Sequence, residues 1–204
     1  MFQDFLLKIP QKTLTFVYIL IPYFCNRERN REMKNIKIEL KWAILFTISY
    51  LTWMLLEKTL GWHDEKIDNQ YWLRFFYIPI SILFYFLALK ESRRRIYQKQ
   101  ITWLQAFWNG LLLAFFIVLL IPVSQYIIHT YLSPEFLPNM IQYSVKNDLM
   151  TVEEANAEYN LRSYIFGSMI TGAIAGTIAS GLVAIFVSRL KEESLDDEFE
   201  EQSR

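Results

Sequence analysis

The chain has 204 residues, of which 53% are hydrophobic and 17% aromatic, and its 21 Lys and Arg exactly offset 21 Asp and Glu. One cysteine, Cys25, excludes an internal disulfide framework and a cysteine metal site, and two histidines, His63 and His129, make a histidine-rich metal centre improbable. The apolar fraction is high for a soluble domain, and the zero net charge conceals a sharp segregation of signs along the chain.

Residues 1–32 form a leader of doubtful status. An apolar stretch of about a dozen residues, Leu14 to Cys25, is short for a membrane span. Its flanks are wrong for a secretory signal, because Arg27, Arg29 and Arg31 follow the apolar part. Three readings stay open: a start at Met33, a short peripheral anchor, or an additional span.

Residues 33–191 read as a membrane domain with four spans, at about 42–60, 71–89, 103–128 and 163–188. Each is long enough, at ~28 Å or more, to cross the hydrocarbon core. The first two each admit one charge, Glu57 and Arg74. The fourth runs for about 26 residues without a charge between Arg162 and Arg189. The expected fold class is therefore all-α, a polytopic four-transmembrane-helix bundle.

The flanks predict its orientation. Lys34, Lys37 and Lys41 precede the first span, Lys90, Arg93, Arg94, Arg95 and Lys99 separate the second from the third, and Arg189 and Lys191 follow the fourth. The other two connections are acidic, with Asp64, Glu65 and Asp68 in one and Glu135, Asp148, Glu153, Glu154 and Glu158 in the other. Positive charge stays inside, so both ends of the core are expected in the cytoplasm and the protein in the cell inner membrane. Residues 192–204 form an acidic tail, expected to be solvated.

The longest outer connection, about Leu132 to Leu161, carries helix signals. Pro134 and Pro138 look like first-turn prolines. Thr151 with Glu154 makes a capping box, and the helix it starts is expected to run on into the fourth span.

Within the spans, Glu57 and Arg74 each lie about 16 residues, ~24 Å, from the flanking Lys41 and Lys90. An antiparallel hairpin brings them to one height, which predicts an intramembrane ion pair, structural or functional. Ser168, Gly172, Gly176 and Ser180 recur every four residues and form a smooth helix-packing face, for the bundle itself or for a dimer. Gln105, Asn109, Gln125 and Thr130 give the third span polar groups, and Pro122 predicts a kink in it. His63, Asp64 and His129 are weak candidates on the outer face, since zinc takes such ligands but their spacing does not demand one. His63 is expected to be a loop residue and His129 an interfacial one. No cofactor, metal or nucleic acid is indicated.

Several of these residues carry a likeness. Trp53-Met-Leu-Leu-Glu57 with Gly61-Trp-His-Asp-Glu65, Thr102-Trp103 with Gln105-Ala-Phe107, Gln125-Tyr126 with His129-Thr-Tyr131, and Glu153-Glu154-Ala155 before Leu161-Arg-Ser-Tyr164 are the motifs concerned. Across about Met33 to Lys191 the chain resembles an uncharacterised family of small four-span bacterial membrane proteins, domain of unknown function 4199. The resemblance implies the fold and brings no activity, substrate or catalytic residue.

Two functional expectations follow. One is a membrane protein that is not an enzyme and acts by helix association, as a homo-oligomer or with a membrane partner. The other is a small transporter or channel subunit using Glu57, Arg74 and the polar third span.

Overall fold

The structure, a computed structural model, describes residues 36–64 and 66–190, with the side chains of 69–74 excepted. The leader and the acidic tail lie outside the described residues. Six helices make up the described chain: α1 (Ile36–Thr59), α2 (Gln70–Arg95), α3 (Trp103–Ile127), α4 (Phe136–Lys146), α5 (Val152–Glu158) and α6 (Leu161–Arg189). A 3-10 turn (Ile67–Asn69) precedes α2, and a π-turn (Ile128–Leu132) prolongs α3. No strand occurs among the described residues.

Four helices are long and apolar enough to cross a membrane: Ile36–Thr59, Phe75–Arg95, Trp103–Leu132 and Leu161–Arg189. They correspond to the four expected spans, with shifted ends. The first is already helical at Ile36, where the described residues begin, and the second continues to Arg95 rather than stopping near Leu89. The cause is that a helix need not end where its apolar run ends. Lys41, Glu91 and Arg95 continue the backbone ladder while their charged ends pair with one another.

Each boundary has a local cause. Gly61, at φ +76°, closes α1 in a Schellman motif, with Trp62 N donating to Glu57 O and Gly61 N to Lys58 O. Thr102 caps α3 and accepts from Gln105 N, while the Gln105 side chain accepts from Thr102 N. Thr151 and Glu154 form the same reciprocal box at α5.

Two expectations about this region need correction. The helix begun at Thr151 does not run into α6. Asn160 breaks it: its Nδ2 donates to Ala157 O at 2.7 Å, ending α5, and its Oδ1 accepts from Ser163 N at 3.0 Å, starting α6. Pro138 lies in the first turn of α4, but Pro134 lies in the turn before it. There Ser133 N is drawn back to Ile128 O by the π-turn. Pro122 and the unanticipated Pro79 both lie inside continuous helices.

α3 packs most extensively against α6. The small residues make this possible. A Cβ on Gly110 would stand 2.7 Å from Ser180 Cβ, and one on Gly176 would stand 2.8 Å from Ala114 Cβ. The opposite face of α6 exposes Phe166, Ile170, Ile174, Ile178, Leu182 and Phe186, an apolar stripe suited to lipid. α1 and α2 meet through edge-to-face rings, Trp42 and Phe46 on Phe84 and Tyr50 on Tyr77.

The bundle has two unlike ends. The basic end carries Arg93, Arg94, Arg95 and Lys99. The capped end is covered by α4 and α5, which have their own small core of Ile67, Phe136, Leu137, Met140, Ala155 and Tyr159.

Candidate functional site beneath the helical cap

The Schellman turn at Gly61 folds the chain back immediately after Glu57, and this return places His63 on Glu57. Both are buried, Glu57 3% exposed and His63 fully enclosed. Glu57 Oε1 accepts the Trp53 indole N–H at 2.5 Å, and Oε2 lies 3.3 Å from His63 Nε2. His63 Nδ1 lies 3.0 Å from Ser133 Oγ. The result is an unbroken carboxylate–imidazole–hydroxyl chain. A neutral ring with its proton on Nε2 donates to Glu57 and accepts from Ser133, while a protonated ring donates to both.

Three features hold this chain in place. Asn139 on α4 donates from Nδ2 to His63 O at 3.0 Å and to Asp64 Oδ1 at 2.9 Å. Lys58 Nζ donates to Leu132 O, at the end of the π-turn. The π-turn itself presents Ser133, and such turns frequently mark functional sites in helices.

His129 sits beside the chain and is also buried. Its Nε2 lies 3.1 Å from Gln125 Oε1, while Gln125 Nε2 donates to Ser168 Oγ at 3.3 Å. The Gln125 oxygen is an acceptor, so His129 carries its proton on Nε2, and buried Nδ1 has no hydrogen-bond partner among the described residues. Phe136 is wedged between the rings, with its centroid 4.8 Å from His63 and 5.5 Å from His129, and Tyr164 closes on His129 edge-on at 5.1 Å.

The expected site residues are distributed as follows. Glu57 and His63 meet directly. His129 stands across Phe136 from them, and Asp64 is exposed and tied to Asn139. His63 lies in the turn after α1, as expected of a loop residue, and its side chain is buried beneath α4. The side chain of Arg74 lies outside the described residues, so the expected pair with Glu57 does too. Gly172, Gly176 and Ser180 face α3 within the chain: Gly172 lies against Ile121 and Gly176 against Ala114, while Ser180 meets Gly110. Ser168 is engaged with Gln125. Gln105 and Asn109 do separate work, Gln105 in the α3 cap and Asn109 accepting from Tyr97 Oη at 3.4 Å. Among the described residues no group of three His, Cys, Asp or Glu side chains is placed to hold a metal ion.

The basic end holds a second buried acid. Glu39 is fully enclosed, with Oε1 accepting the Ser92 hydroxyl at 2.6 Å and Oε2 without a hydrogen-bond partner among the described residues. Its signal was present in the spacing. Glu39 and Glu57 are about 18 residues apart, five full helical turns, so they share one face of α1. The partners Ser133 and Phe136 had no comparable signal, because only the folding of the cap brings them to Glu57 and His63.

An all-α bundle of four membrane-length helices, with ionisable side chains sealed beneath an extramembrane cap, defines a multi-pass membrane protein. The profile of the family described as "Protein of unknown function (DUF4199)" matches residues 41–189, and the chain belongs to that family. Searches of curated proteins and of solved structures give no match.

Proposed function

We propose that this protein is a small transporter or channel-type subunit, not an enzyme, that handles a small cation or proton at its capped end. The observation that carries this reading is the buried Glu57–His63–Ser133 chain. Ionisable groups at the ends of membrane helices are costly to enclose and are characteristic of ion pathways and proton relays. The basic flanks support an orientation with the capped end outside and the basic end in the cytoplasm, and on that reading the membrane is the cell inner membrane.

Flux into liposomes containing the full chain tests the reading. Glu57→Gln keeps the size of the side chain and removes its charge. It should abolish a cation or proton flux that the unaltered protein supports. Equal flux from both proteins would remove Glu57 from the pathway.

A second reading is association with a membrane partner through the cap. It is supported by Leu149 and Val152, apolar side chains 57% and 60% exposed at the α4–α5 connection. Because Gly176 and Ser180 are committed to α3, oligomerisation through that face has little support. Leu149→Ser with Val152→Ser should then change the oligomeric state in detergent, measured by light scattering, while Glu57→Gln should not.

A further inference from the structure

We infer that the carried ion is the proton, and that Glu39 is the second station of a path running along α1 from Glu57 to the basic end; this inference rests on the transport reading above. The two carboxylates stand on one face of α1, ~27 Å apart, and both are enclosed. Each has one hydroxyl partner in reach of exchange: Ser133, through His63, at the capped end, and Ser92 at the basic end. Among the described residues Oε2 of Glu39 has no hydrogen-bond partner, and a buried carboxylate oxygen in that state is a ready acceptor of a proton.

The interior between them holds further hydroxyl groups on the same faces. Tyr77 meets Tyr50 edge-to-face and Trp53 at a tilt, its hydroxyl donates to Phe46 O at 3.5 Å, and Ser49 is also its partner. Tyr85 is buried with its hydroxyl against Gly176, where a Cβ would stand 2.7 Å from it, and it is an electrostatic neighbour of Glu39. The charged neighbours of Glu39 are Lys41 on its own helix and Glu91 on α2. Lys41, Trp42 and Arg95 already hold Glu91, so Glu39 is the acid left to exchange.

Transfer along this line needs no redox partner and leaves no net chemical change. A proton binds the Glu57–His63 pair, hydroxyl groups accept one proton as they release another, and Glu39 takes it and releases it at the basic end. Tyr77 and Tyr85 are about eight residues, ~12 Å, apart along α2, so that step requires bridging water. The glycine at 176 is then more than a packing residue, since only a side chain without Cβ leaves space for the Tyr85 hydroxyl.

The test uses the full chain in liposomes enclosing a pH-sensitive dye under an imposed pH gradient, with parallel liposomes reporting sodium entry under a sodium gradient. Proton flux should appear, and Glu39→Gln, Glu57→Gln and Tyr85→Phe should each reduce it by at least about tenfold. Glu39→Gln keeps an oxygen that accepts from Ser92, and its melting temperature in detergent checks that it folds. Should it not fold, Tyr85→Phe carries the test. Proton flux that falls with Glu57→Gln but survives both other substitutions would overturn the path while leaving the transport reading in place. Sodium flux without proton flux would overturn the proton assignment and likewise leave transport standing. No flux of either ion would overturn both.

Discussion

The two ends of the bundle hold their ion pairs in opposite ways. At the basic end, Glu91 gathers Lys41, Trp42 and Arg95 at a rim where the Lys41 and Arg95 side chains are largely exposed. At the capped end, Glu57 and His63 meet under α4, with aromatic rings packed around them. A rim pair in water contributes little and is readily replaced. An enclosed pair depends on every neighbour, because each lost partner leaves a desolvated group uncompensated. Charge count therefore says where the membrane surface lies, and burial says where chemistry is stored.

That contrast breaks first at Phe136, the fully buried ring between the two histidines. Phe136→Ala should cost about 3–5 kcal/mol, visible as a large fall in melting temperature in detergent. A small change would mean the cap does not depend on this ring. Trp53→Phe removes the indole donor to a buried carboxylate and should cost about 1.5–3 kcal/mol. Chemical denaturation should show the loss, and a neutral result would show that water replaces the indole. Gly110→Ala lies between the two ends and tests the seam. Its methyl would collide with Ser180, at a cost of about 1–3 kcal/mol, and Ser180→Gly in the same chain should recover part of it.

The basic rim should respond least. Lys41→Ala should shift stability by no more than about 1 kcal/mol, and less in high salt; a larger loss would make this end resemble the other. The smallest effect is local to α5. The backbone N–H of Thr151, and then its hydroxyl, hold the Glu154 carboxyl below the usual carboxylate range. A carboxyl lowered by folding stabilises the helix above its unfolded pKa of about 4.3, and that stabilisation disappears as pH falls through the folded value. The protection of the Val152 to Ala155 amides, taken relative to the intrinsic exchange rate at each pH, should therefore fall in acid, and Glu154→Gln, which can still cap, should make that protection independent of pH.

Features that depend on neighbours in sequence were legible. The four apolar runs, the Thr151 box and the small-residue repeat are all local patterns. Asn160 was legible too, as a cap before an apolar run, yet it was submerged in the apparent continuity from Thr151 to Ser188. The site was legible only in part. Glu57 announced itself as a charge within a span, but the burial of His63 depends on a glycine turn and on a helix more than 70 residues further along the chain. Glu39 was hidden because it precedes the apolar run and reads as another flanking charge beside Lys37 and Lys41. Only its helical phase with Glu57 sets it apart.

Two cations hook the ends of helices that are not their own. Lys58 at the end of α1 grips the last carbonyl of the π-turn after α3, and Arg93 on α2 donates from Nη2 to Leu190 O, just past α6, at 2.8 Å. Both targets are carbonyls that a helix terminus leaves without an internal partner. One latch fastens the first hairpin to the second at the capped end, and the other does so at the opposite end. The two hairpins therefore cannot slide along each other without releasing one latch. In a thinner or thicker bilayer the four helices must tilt as a unit to meet the mismatch, and the two hairpins then keep their register whatever the thickness of the membrane around them.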